Sequence, residues 1–190
     1  MKRKILLLGL LFLSIALSTH AQKVAIKTNL AADATSTINL ATEIGLKKKT
    51  TLDLYVNYNP WNLGEEKKFK HFLLQPEFRY WFCERFSGHF IGVHAHGGTF
   101  NVGGITMPFG LWESLKEYRY EGEFYGGGIS YGYQWVLGDH WNLEGNIGVG
   151  YARIKYDKYK CKNCGRLLEK GRNYNYWGPT KAAISLVYLF

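Results

Sequence analysis

Few residues of this 190-residue chain are of a type that performs chemistry. His94 and His96 stand two apart in a segment that alternates apolar and polar, so their side chains share one face of a strand. Ser130 and Glu144 fall on the same face of two later segments. A hydroxyl, an imidazole and a carboxylate are the nucleophile, base and orienting group of an acyl hydrolase. A lipid-modifying hydrolase of the outer membrane is therefore the enzymatic alternative. It would need an opening toward lipid, and these residues share a polar face that supplies such sets by chance. The plainer expectation is hydrogen-bonded interior histidines and no enzyme. The two histidines have no acidic or cysteine partner at ligand spacing, so no metal and no other cofactor is expected.

The same face carries Lys27, Glu43, Asp53, Glu77, Arg79, Glu144 and Lys181. Three basic and four acidic groups in a narrow interior predict internal ion pairs, because an unpaired buried charge is expensive. A rigid polar plug is the expectation, and a narrow pore is the further alternative.

Residues 153–172 are strongly basic, with Arg153, Lys155, Lys158, Lys160, Lys162, Arg166, Lys170 and Arg172 opposed only by Asp157 and Glu169. Such a loop attracts phosphates and carboxylates. No nucleic-acid-binding fold stands behind it, so the expected polyanions are lipopolysaccharide or surface polymers. Within it, Cys161 and Cys164 form one C-x-x-C, half of a zinc ribbon without its second half. In an exported chain a local disulfide is expected, with free thiols and a metal site as alternatives. Cys83 is the odd cysteine, expected to behave as an unpaired apolar side chain. The stretch 101–118 holds Ile105, Met107, Phe109, Leu111, Trp112 and Leu115, which predict a protein-partner surface or a cap over the mouth.

The elements that must position these residues are strands. Hydrophobic residues make up 46% of the chain and prolines number 4, which excludes a disordered tail or a Pro-rich stalk. Apolar residues recur at every second position across eight segments, about 23–31, 37–46, 50–59, 71–83, 88–100, 119–135, 140–156 and 174–190. One face runs through Leu52, Leu54, Val56 and Tyr58, then Phe72 to Phe82, Tyr125 to Trp135, Trp141 to Tyr151, and Gly178, Thr180, Ala182 to Phe190. It bears no charge, in a chain that is 21% charged. The opposite face holds the ionic row and many glycines, which suit a crowded eight-strand interior. Aromatics gather near the strand ends, and connections alternate short (47–49, 84–87, 136–139) and long (60–70, 101–118, 157–173). A soluble barrel would turn the apolar face inward. These features instead favour an all-β, eight-stranded antiparallel up-and-down transmembrane β-barrel with a polar, side-chain-filled interior.

Residues 1–21 read as a secretory signal: Lys2, Arg3 and Lys4, an apolar run at 5–17, and a small residue before the cut. The run is shorter than a membrane-spanning helix requires. Residues 22–190 form the barrel, and removing the leader lowers the formal charge from +9 to +6. Phe190, after Leu186 and Tyr188, looks like the terminal aromatic read by the barrel-insertion machinery.

The stretch KTNLAADATSTINLATEIGL at 27–46, TLDLYVNYNPW at 51–61 and FLLQPEFRYW at 72–81 resembles an uncharacterised family, a domain of unknown function, of small outer-membrane β-barrel proteins of Bacteroides-type bacteria. The resemblance implies no established activity. Some members look like neighbours of fimbria-type gene clusters, and some relatives carry a peptidoglycan-binding domain, which is not expected here after the last strand. The expected role is a structural element or docking platform for a cell-surface assembly, in the outer membrane of a Gram-negative bacterium.

Overall fold

A computed structural model describes residues 24–62, 67–105, 113–160 and 165–190. Eight antiparallel strands follow one another: β1 Val24–Asn29, β2 Ile38–Lys47, β3 Thr50–Asn59, β4 Lys68–Trp81, β5 Gly88–Gly103, β6 Arg119–Val136, β7 Trp141–Tyr159 and β8 Leu167–Leu189. Each pairs with the next, and β1 pairs with β8, so the sheet closes into a ring. Alternation at period two across eight segments has this outcome because every inner strand needs two neighbours for its backbone donors. The remaining regular pieces are one helical turn, α1 (Leu30–Asp33), started by the Asn29 side chain accepting from the Ala31 amide, and a 3-10 turn at Glu113–Lys116.

Register sets the tilt. A path across paired residues runs from Ala25 through Glu43, Asp53, Glu77, His94, Gly128 and Gly150 to Gly178. Ala25 itself pairs with Leu189, eleven residues beyond Gly178. One of those eleven is an extra residue in β8, where Gly148 faces Lys181 but Val149 faces Pro179. A stagger of about ten residues around eight strands corresponds to a tilt of roughly 40°.

That extra residue corrects the sequence reading. Gly178 and Thr180 were expected on the apolar face. The bulge shifts the parity of β8, so Thr180 meets His94 inside the ring and Trp177 stands outside, 76% exposed. The sequence carried the signal, since a Gly-Pro pair inside a strand pattern marks a bulge.

The long connections are also shorter than expected. Strands lengthen around the ring, from 6 residues in β1 to 23 in β8. Most of 157–173 is therefore not a loop, because β7 and β8 continue as a paired ribbon to Tyr159 and Leu167. Residues 1–23, 63–66, 106–112 and 161–164 lie outside the described ones. With them go the leader, Met107, Phe109, Leu111, Trp112, Lys162, and the proposed Cys161–Cys164 disulfide. Cys83 is a free thiol, and it is exposed rather than packed like an apolar side chain.

Candidate functional site

The two faces of the wall differ in every strand. Lys27, Glu43, Asp53, Glu77, Arg79 and Glu144 are 0–3% exposed. Ile38, Leu40, Val93, Ile129, Ile147 and Ile184 are 54–68% exposed. The chain thus buries its ions and exposes its aliphatic residues, the reverse of a protein folded around an oily core.

The buried ions form one network around Arg79. Its Nε donates to Glu77 at 2.7 Å, Nη1 to Glu43 and Glu144 at 2.9 Å each, and Nη2 to Asp53 at 3.1 Å. Lys27 donates to Glu144 at 2.8 Å, and it contacts Glu43 and, at 3.3 Å, Asp53. Lys181 reaches Glu77 at 2.5 Å and Asp53 at 3.8 Å. A planar guanidinium with five donors suits this place, since it can hold several carboxylates at once. Thr51 donates to Glu43 and receives the Trp81 indole N–H at 2.9 Å. Glycine makes room for the network: a Cβ on Gly92 would stand 2.6 Å from both Glu77 Oε1 and Ser130 Oγ.

Toward the short-turn end the interior turns apolar, a feature the sequence reading missed. Ala25, Trp81, Phe86, Phe90, Val187 and Leu189 pack together as a plug. Phe90 packs against Trp81 with ring centres 4.7 Å apart and planes tilted by 44°, and lies under the Arg79 guanidinium at 4.4 Å. Phe86 enters from the β4–β5 turn with φ of +64°, and Asn142 donates to its carbonyl at 2.9 Å. The sequence signal was the apolar residue in an otherwise polar row, at Trp81, Phe90, Val187 and Leu189. Toward the opposite end the interior is hollow. A cavity of about 290 Å³ has Lys27, Asp53, Arg79, Glu144 and Lys181 among its lining. A second concavity of about 600 Å³, lined by Tyr58, Phe72, Thr99, Glu123 and Lys155, lies at the same end.

The four residues of the hydrolase alternative share the interior without forming a relay. His94 Nε2 lies 3.0 Å from the Thr180 hydroxyl, and its Nδ1 is 4.0 Å from Glu77. His96 lies beside His94, with 5.6 Å between ring centres and the planes tilted by 34°. Room for these rings comes from Gly126 and Gly128, where a Cβ would lie 2.9 Å and 3.0 Å from the two Nε2 atoms. Ser130 Oγ has no hydrogen-bond partner among the described residues, and Glu144 is held by Lys27 and Arg79. His94 lies between the Thr180 hydroxyl and the Glu77 carboxylate, but Glu77 stands beyond hydrogen-bond reach of Nδ1 and is held by Arg79 and Lys181, so the carboxylate arm of a relay is not made. No group of three or more His, Cys, Asp or Glu among the described residues is arranged to hold a metal.

The basic residues of 153–172 are spread along the ribbon. Arg172 donates to Glu169 at 2.7 Å, which holds that carboxyl below its usual range, and Lys158 lies 4.0 Å from the same residue. Lys158 also sits 4.0 Å over the Tyr118 ring, and Arg119 sits 4.1 Å over Tyr159. Lys160, Arg166 and Lys170 are exposed near the tip. Phe190 follows the last strand and is 59% exposed, with its amide donating to Val24 at 3.0 Å. Leu115, expected on the partner surface or cap, is buried, and its carbonyl accepts from Gly104 at 2.7 Å.

A family model described as a protein of unknown function, DUF3575, matches residues 6–190. No curated protein and no solved structure matches the chain.

Proposed function

The chain belongs to the DUF3575 family of proteins of unknown function, and on that footing we propose that it is a non-enzymatic β-barrel of a Gram-negative outer membrane, of the Bacteroides type, that serves as a docking platform at the cell surface. The observation that carries this is the height of the uncharged band on the outer wall. The band runs from Phe72 on β4 to Phe82 just past its end, on β6 from Tyr125 to Trp135 and on β7 from Trp141 to Tyr151, ten residue steps each time. At about 3.3 Å per residue and a tilt near 40°, ten residues rise about 25 Å, the height of the apolar band of outer-membrane barrels. Charge resumes one outward step beyond the upper aromatics, at Lys70, Glu123 and Arg153, and just past the lower ones at Glu84 and Asp139. A solvent-exposed wall has no reason to be free of charge over one fixed height on several strands.

The interior argues for a scaffold. The Arg79 network across the lumen and the packed Trp81, Phe86 and Phe90 below it support a rigid, filled interior over a pore. The platform would present the ribbon and the neighbouring connections to a partner at the surface, with a fimbria-type assembly as the case the sequence suggests.

Depth-dependent fluorescence quenching tests the placement. In liposomes containing brominated lipids, Trp135, Trp141 and Trp177 should be quenched strongly and the buried Trp81 weakly, each read in a variant retaining one tryptophan. Equal quenching of all four, or of none, would reject the membrane reading.

A further inference from the structure

The β7–β8 ribbon carries cations of two kinds. Lys158 and Arg172 are engaged with carboxylates or rings of the chain itself, as is Arg119 on the neighbouring β6. Arg153, Lys155, Lys160, Arg166 and Lys170 are exposed and form no ion pair among the described residues. Glu123 faces Lys155 across β6 in register without closing a bridge to it.

The unpaired cations stand at two heights. Arg153 and Lys155 lie two and four residues beyond Tyr151, about 5–10 Å above the aromatic belt. Lys160 and Arg166 flank the ribbon tip beyond Tyr159, about 20 Å above it, and Lys170 lies just below them, near the level of Asp157 and Lys158, about 15 Å above the belt. The lower pair is within reach of phosphates on a lipid headgroup. The upper three are not, because attraction to a charged surface decays over about 8 Å at physiological ionic strength. One molecule covers both heights if its anionic groups begin at the bilayer surface and continue up a saccharide stem. Carboxamides that can bond sugar hydroxyls lie beside the lower cations: Asn175 and Asn173 face Arg153 and Lys155 across the ribbon, and Asn175 already accepts from the Tyr151 hydroxyl at 2.8 Å. Trp177 and Tyr151, in contact with ring centres 5.0 Å apart, form the belt directly beneath.

We infer that this ribbon binds a phosphorylated glycolipid of the outer leaflet, with Arg153 and Lys155 on its lipid-proximal phosphates and Lys160, Arg166 and Lys170, exposed at and near the tip, on anionic groups of its saccharide. This assignment rests on the outer-membrane placement proposed above and names the partner that the basic ribbon contacts first.

The test uses the full mature chain in detergent micelles and four probes: intact lipopolysaccharide, its saccharide-free lipid portion, the dephosphorylated glycolipid, and a soluble acidic polysaccharide. The intact glycolipid should bind about tenfold or more tighter than the saccharide-free lipid, since surface cations near a polyanion act almost additively. K160Q/R166Q/K170Q should erase that preference, and R153Q/K155Q should weaken both probes. All five positions are exposed, and folding of each variant is verified by its heat-modifiable gel mobility. Equal binding of the dephosphorylated glycolipid, an unchanged preference in the tip variant, or equal binding of the soluble polysaccharide would each overturn the assignment. A chain that binds none of these and also fails to insert into liposomes would reject the membrane placement, whereas insertion without the preference rejects the ribbon assignment alone.

Discussion

Leu54→Arg puts the orientation of the wall at stake. Leu54 points outward, is 45% exposed and pairs with Thr42 and Pro76. Pro76 lies four residues below Phe72 of the upper belt, so Leu54 sits about 10 Å into a band about 25 Å tall, close to its middle. An arginine at mid-depth on a lipid-facing wall costs about 2–4 kcal/mol. At about 3 kcal/mol the ratio of folded to unfolded protein in liposomes falls roughly 150-fold. Two comparisons isolate the cause. Thr99→Arg also points outward, but it stands opposite Phe72 at the rim, where the same charge costs about 0–1 kcal/mol. Asn57→Arg points inward, into the cavity above the ionic network. Urea titration in liposomes, read by gel mobility of unheated samples, gives the three midpoints. A Leu54→Arg midpoint no lower than that of Thr99→Arg would refute the reasoning, because depth would then carry no penalty. A larger loss for Asn57→Arg than for Leu54→Arg would mean that the faces are assigned the wrong way round.

Arg79→Leu leaves four buried carboxylates with only two lysines, and the expected loss is about 3–5 kcal/mol of unfolding free energy, read from the same titration. Gly92→Val would drive a side chain into Glu77 and Ser130, costing about 1–3 kcal/mol, whereas Gly138→Ala, with nothing within 4 Å, should be close to neutral. On the ribbon, the Arg172 hydrogen bond lowers the Glu169 pKa. The ion pair should therefore persist as pH falls through the ordinary glutamate range and be lost only below it. Carbon-detected NMR titration of the Glu169 carboxyl should show that midpoint below the one in Arg172→Gln, and identical midpoints would contradict the pairing.

Much of the architecture was legible because strand chemistry is local. Leu52, Leu54 and Val56 alternate with Asp53, Tyr55 and Asn57 whatever lies elsewhere in the chain, and eight such stretches separated by turn residues determine the strands and their order. The seven ionic residues could be assigned to one face by parity alone. Parity failed where one residue was added: Thr180 and Gly178 changed sides because β8 carries a bulge beside Gly148 and Val149. It was also silent on Trp81, Phe86 and Phe90, since a plug is a matter of which end of the ring an inward side chain occupies.

By itself the amino-acid sequence determined an all-β chain with one uncharged and one ionic face, because a period of two follows from strand geometry and needs no partner. Only tertiary structure decided which face was enclosed, since closing β1 on β8 is what gives the sheet an inside. Closure brought Lys27, Glu43, Arg79, Glu144 and Lys181 from five different strands to one point, at separations of up to 154 residues. It kept Ser130 and Glu144 from joining His94 in a relay, because the register and the bulge put Thr180 at that imidazole instead. Contacts of this kind depend on stagger around the whole ring, a quantity that no stretch of sequence contains.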